Sequence, residues 1–123
     1  FDITNIDTES NSYDLIICYH ILEHIEDDNK GMQELYRILK KDGICIIQTP
    51  FKEGEIFEDP AIKSPEGREL RFGQADHVRV YSVQGLTGRL TKTGFEVEIR
   101  KFRENDNNFF GFKTKETVLI AKK

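Results

Sequence analysis

Tyr13-Asp14-Leu15-Ile16-Ile17-Cys18-Tyr19 is a short, nearly continuous apolar run, and Ile44-Cys45-Ile46-Ile47-Gln48-Thr49 repeats it. Runs of this kind mark strands covered on both faces of a parallel sheet. Between them, Met32, Leu35, Tyr36 and Leu39 follow the i, i+3, i+4, i+7 spacing of an amphipathic helix. Asp27 or Asp28 can cap its start, Lys40 and Lys41 suit its negative end, and Gly43 stops it. Strand, helix and strand within about 37 residues make a βαβ unit, whose handedness puts the helix on one face of a parallel sheet.

Beyond this unit the periodicity fails from Phe51 to Tyr81, and Pro50, Pro60 and Pro65 fall at or within that stretch. It reads as an irregular insertion, and a connection of that length in a compact domain is more often a lid or binding segment than a passive linker. Ser82 then caps a second helix with Val83, Leu86 and Leu90 on one face, ending at Gly94. Phe95, Val97 and Ile99 alternate as a strand. A polar turn from Glu104 to Asn108 leads to a last strand over Thr117 to Ala121, and the only short route back is antiparallel.

The whole chain sets limits on its class. Its 123 residues suffice for one modest domain and not for two. Hydrophobic residues at 37% and charged residues at 33% fit a soluble globular protein. No apolar run approaches the roughly 20 residues that span a bilayer. A net charge of −4 lacks the basic footprint of a general nucleic-acid binder. Cys18 and Cys45 each lie inside an apolar run, as small buried side chains do, so a reducing cytoplasm is the default location. The chain opens on Phe1 with a turn-like Asp2-Ile3-Thr4-Asn5, which reads like a chain entered midway.

The segment from Tyr13 to Asp27, which carries Leu22-Glu23-His24, together with Glu34-Leu35-Tyr36-Arg37-Ile38-Leu39-Lys40-Lys41-Asp42-Gly43, resembles a known pattern. It is similar to the stretch from the fourth to the fifth strand of class I S-adenosylmethionine-dependent methyltransferases of the ubiquinone-biosynthesis type. The later strand, polar turn and antiparallel last strand fit as well, and only residues 51 to 72 lie outside the resemblance. It implies a Rossmann-like three-layer α/β sheet of seven strands. This chain would carry the fourth to the seventh, parallel except for the last, as a single partial domain over 1–123. No G-x-G occurs, nor the acidic residue expected after a second strand, so the cradle for most of the cofactor would lie elsewhere in a longer chain.

The resemblance also implies a site. Asp2 and Ile3 would flank the adenine of S-adenosylmethionine, unless Asp2 merely makes a turn. Tyr19, at the carboxyl end of its strand, would lie beside the methionine part of the cofactor. His20 and His24 face the transferred methyl group in this reading, where an imidazole can orient a nucleophile or take its proton. Otherwise each is a loop histidine held by backbone groups. Asp76, His77 and Arg79 would border the pocket of a small-molecule acceptor, with Arg79 clamping an anion or pinning the loop in an Arg–Asp pair.

Two other classes fit parts of the sequence. His20-Ile21-Leu22-Glu23-His24 matches H-x-x-E-H, the inverted motif of zinc-dependent hydrolases, in which two histidines on one helical face bind zinc and the glutamate serves as base. Here the motif leaves a buried strand directly and the helix begins only near Asp28, so no such metal site is expected. A non-catalytic half-domain is the other alternative, forming a homodimer or pairing with another chain through an exposed sheet edge. Gly85-Leu86-Thr87-Gly88 mimics an RNA-binding G-x-x-G loop within a helix turn and is assigned no function.

Overall fold

The computed structural model describes residues 1–102 and 116–123. Strand β1 (Tyr13–Tyr19) leads through a short 3-10 turn (Leu22–His24) to helix α1 (Asp28–Ile38) and strand β2 (Leu39–Gln48). Strands β3 (Phe51–Lys52) and β4 (Phe57–Glu58), helix α2 (Pro65–Phe72) and strand β5 (Arg79–Ser82) follow. Helix α3 (Val83–Thr93) and strands β6 (Glu96–Phe102) and β7 (Glu116–Lys122) complete the order. The turn expected over Glu104 to Asn108 lies outside the described residues.

The main sheet has the order β1-β2-β7-β6. β1 and β2 are parallel, and β7 inserts between β2 and β6 antiparallel to both. The expected α/β fold, parallel except for its last strand, is therefore present. Register explains which face is covered. Ile16 lies opposite Cys45 and Cys18 opposite Ile47, so these four share one side. On that side the core gathers Cys18, Cys45, Ile47, Leu119 and Ala121 with Met32, Leu35 and Ile38 of α1 and Leu86 and Leu90 of α3. Leu15 and Ile17, aligned with Ile44 and Ile46, face the other way and are 50% and 65% exposed. The apolar run led us to expect cover on both faces; the described residues cover one.

Local chemistry fixes the helices. The Asp27 carboxylate accepts from the Lys30 amide at 3.1 Å and so caps α1. Ser82 caps α3 by accepting from the Gly85 amide at 3.0 Å. Gly94 ends α3 at φ +127, and a β-carbon there would come within 3.1 Å of the Tyr36 ring. Helix α1 stops at Ile38, before the expected Gly43, because Leu39 is already extended. The next residues make a bulge. Five residue steps from Leu39 to Ile44 span what two steps, Tyr13 to Leu15, span on β1, with Asp42 at φ +67.

Residues 51 to 81 are more ordered than their sequence predicts. β5 pairs with β3 on one side and with β4 on the other in a small mixed sheet. Ser64 caps α2 by accepting from the Gly67 amide, with Pro65 at the first helical position. Among the described residues no helix is long and apolar enough to cross a membrane.

Candidate functional site

The carboxyl ends of the parallel strands β1 and β2 open into a groove of about 730 Å³, the place where open α/β sheets bind ligands. Tyr19, His20, Gln48, Thr49, Ser82 and Gln84 are among the residues that line it. Tyr19 is exposed and its ring stacks on that of His20, the centroids 4.3 Å apart and the planes 8° from parallel. His20 itself sits at φ +51, a left-handed conformation that is uncommon for a residue with a side chain. Its amide donates to the Gln48 carbonyl at 2.8 Å, which continues the β1–β2 ladder for one step while the chain turns away.

Two polar atoms of the residues that line the groove lack partners among the described residues. Thr49 is buried, and neither its Oγ1 nor the Oε1 of Gln48 has a hydrogen-bond partner among the described residues. Buried polar atoms are otherwise almost always satisfied, so a pair of orphans in a groove suits a ligand that brings donors. The sequence points to neither residue. Their only signal is that two polar side chains end the apolar run Ile44 to Ile47.

The segment after Tyr19 divides the predicted histidines. His20 lines the groove, whereas His24 turns toward the loop before β5. His24 Nδ1 lies 3.2 Å from the Asp76 carbonyl oxygen and 3.3 Å from Asp76 Oδ2. His24 and His77 meet edge to face with ring centroids 4.6 Å apart. The two histidines of H-x-x-E-H thus do not share a helical face.

Arg79 is 3% exposed and fully engaged. Its guanidinium donates to Glu58 Oε2 at 2.8 Å and to the carbonyls of Leu22, Ile25 and Glu26. Asp28 lies 3.8 Å away and accepts from both the Tyr81 hydroxyl and Arg89, which also pairs with Glu58. Burial alone would raise the Glu58 carboxyl, but hydrogen bonds from Arg89 and Arg79 hold it below its usual range. Burial pushes the Tyr81 phenol well up. The arginine pins the loop as one sequence alternative had it, with Asp28 and Glu58 as partners and not Asp76.

At the amino end, Asp2 Oδ1 accepts from the amide and hydroxyl of Thr4 at 2.9 and 2.7 Å. These bonds hold its carboxyl below the usual range. Ile3 is buried in the core, 3.6 Å from where a β-carbon on Gly31 would sit. Both cysteines are buried and free, and burial pushes the Cys18 thiol up to about 12 and the Cys45 thiol well above its usual value. They are core side chains with little thiolate character.

A sheet of this order, with its helices on one face and a groove at the ends of its parallel strands, is part of a Rossmann-like α/β fold. The sequence profile described as methyltransferase domain matches residues 1–98. The chain belongs to that family. A curated protein of Mycolicibacterium smegmatis, described as a probable S-adenosylmethionine-dependent methyltransferase, is 28% identical over 87 residues, which are 71% of this chain and 30% of that protein. A SAM-dependent methyltransferase of Thermotoga maritima superposes with a TM-score of 0.66 at 20% identity, over 98% of this chain and 60% of its own. The 1,6-didemethyltoxoflavin-N1-methyltransferase of Burkholderia thailandensis, solved with S-adenosylhomocysteine, gives 0.64 at 15% identity over 98% and 48%. The chain therefore spans from about a third to three fifths of these relatives.

Proposed function

We propose that the intact protein transfers a methyl group from S-adenosylmethionine to a small or medium-sized acceptor, with Tyr19, Gln48 and Thr49 at the methionine end of the cofactor. The observation that carries this reading is that Gln48 Oε1 and Thr49 Oγ1, of two residues that line a groove at the ends of parallel strands, have no partner among the described residues. S-adenosylmethionine, when bound, supplies a methyl group on a sulfonium leaving group, so alignment contributes more than acid or base help. Tyr19 offers an aromatic wall beside it, and His20, stacked on Tyr19 and exposed to the groove, is the residue able to orient the acceptor or take its proton. Both bonds from Thr4 fall on Asp2 Oδ1, which leaves Oδ2 to accept from the adenine amine while Ile3 holds that turn to the core. Asp76 and His77 border the acceptor side through their contacts with His24, and Arg79 acts as the pin that positions this loop.

Calorimetry with S-adenosylhomocysteine tests the reading on the intact protein. Saturable one-to-one binding is expected, and Tyr19→Ala should weaken it by about 1 to 2 kcal/mol, the scale of a lost aromatic contact. Unchanged affinity in the variant would remove Tyr19 from the site, and an intact protein that binds no cofactor product would end the proposal.

A second reading, a half-domain that associates through its sheet, is favoured by the bare face of β1. Leu15 and Ile17 are exposed there, and the outer edge of β1 has no partner strand among the described residues. Sedimentation separates the two, because a monomer that binds S-adenosylhomocysteine leaves this reading without support.

A further inference from the structure

Glu23 is 1% exposed, and neither of its carboxylate oxygens has a hydrogen-bond partner among the described residues. A carboxylate taken out of water without donors is costly, and buried ones are normally paired or bound to a metal. His24 Nε2 lies 3.9 Å from Oε1, too far for a hydrogen bond. His77 completes a cluster in which one ligand atom from each of Glu23, His24 and His77 lies within 4.8 Å of the others.

The second atom of His24 is already committed. Its Nδ1 faces two acceptors, the carbonyl and carboxylate oxygens of Asp76, so that nitrogen carries the proton. The lone pair is then on Nε2, the side that faces Glu23. Metal-bound histidines are held in this way, one nitrogen donating to a carboxylate or carbonyl while the other coordinates. The backbone joins the two halves of the cluster, since the Val78 amide donates to the Glu23 carbonyl at 2.8 Å. Arg79 fixes the same loop through three carbonyls. His77 is buried, and the partly exposed His24 leaves an approach from solvent.

We propose that Glu23, His24 and His77 bind a divalent transition-metal ion of the zinc type, with at least one coordination position left open. Two imidazoles and one carboxylate are the protein ligands of open zinc sites, and nitrogen and oxygen donors of this kind disfavour calcium and magnesium. His20 takes no part, so this is a different ligand set from the H-x-x-E-H reading of the sequence. The open position suits an acceptor oxygen or nitrogen, whose proton a bound cation would make easier to lose. That use rests on the methyltransferase reading, whereas the binding does not.

The test titrates the intact, chelator-stripped protein with zinc by calorimetry and with cobalt(II) by visible absorption, without cofactor. One equivalent of zinc should bind, and cobalt should give d–d bands that zinc abolishes. Glu23→Gln, which keeps the shape of the side chain, and His77→Ala should each lower zinc affinity at least about tenfold. His20→Ala should leave it unchanged. Far-UV circular dichroism identifies a variant that fails to fold, and Glu23→Gln then decides alone. No saturable binding, affinity unchanged in Glu23→Gln, or affinity lost in His20→Ala overturns the proposal. S-adenosylhomocysteine binding, measured separately, reports on the methyltransferase reading whatever the metal result.

Discussion

Around Arg79, the charged groups consume one another. Arg79 serves Glu58 and three carbonyls, and Asp28 accepts from Tyr81 and Arg89 while Arg89 also holds Glu58. At the mouth of β1 and β2 the opposite holds, for Gln48 Oε1 and Thr49 Oγ1 are buried and have no partner among the described residues, and in the turn after β1 neither have the two oxygens of Glu23. Both regions hang on the same segment after Tyr19. The saturated one fixes the backbone of that segment, and the unsaturated one presents polar atoms that have no partner among the described residues. Buried polar networks stabilise when every member is paired, so the two regions should answer mutation in opposite ways.

The largest effect is expected at Arg79. Arg79→Ala leaves Glu58 and Asp28 to share Arg89 alone and removes the donor from three carbonyls of the loop. Breaking a buried pair in this way costs about 3 to 5 kcal/mol, measurable as a fall in the urea midpoint of the intact protein. Arg79→Lys should recover little of it, since an ammonium cannot reproduce the planar fork. A loss under about 1 kcal/mol would mean that the network is ornamental and would dissolve the contrast.

A second saturated pair extends the comparison to the amino end. Glu34 accepts from Nε and Nη2 of Arg37 and from the Ile6 amide, each at 2.8 Å, while Arg37 also donates to the carbonyls of Thr8 and Ile6. This clamp holds residues 6 to 8 to α1. The Arg37 hydrogen bond, then that of Ile6, holds the Glu34 carboxyl down to about 2 from an ordinary 4.5. A carboxyl depressed on folding adds stability above its unfolded value, and that stability is lost as pH falls from about 4.5 toward 2. Glu34→Gln should lower stability at neutral pH by about 1 to 2 kcal/mol and flatten the acid limb of the pH–stability curve. Parallel curves for the variant and the parent would place the acid sensitivity elsewhere.

The saturated regions were also the harder ones to read. Local patterns sufficed for the βαβ unit, for the Ser82 cap and for Gly94, because each depends on residues within one or two turns of each other. The capping choice between Asp27 and Asp28 resolved to Asp27 only because Asp28 is drawn inward by Tyr81 and Arg89, 53 and 61 positions away. No spacing rule reaches that far. The same distance hid His77 as the neighbour of His24, and local motif reading paired His24 with His20 instead. Residues 51 to 81 looked irregular because strands of two residues, β3 and β4, are too short to show alternation. Tyr19 and His20 were legible from their place at a strand end, whereas Gln48 and Thr49 become visible only once the groove shows that their polar atoms face nothing.

The smallest expected effect makes the sharpest test, because it has two signs. Thr49→Val keeps the β-branched shape of the side chain and removes a buried hydroxyl whose Oγ1 has no partner. Replacing an unsatisfied polar group by an apolar one of the same shape is neutral or stabilising, here by up to about 1 kcal/mol. If the hydroxyl waits for a donor on the cofactor, the same change should weaken S-adenosylhomocysteine binding by about 1 kcal/mol, close to fivefold. Stability and affinity would then move in opposite directions, as they do where a site carries local cost for function. A less stable Thr49→Val protein would show that the hydroxyl has a structural partner, and equal affinity would take Thr49 out of the site. Arg79→Lys makes the complementary measurement, since a positioning residue should lower stability first and cofactor affinity only through the loop it holds.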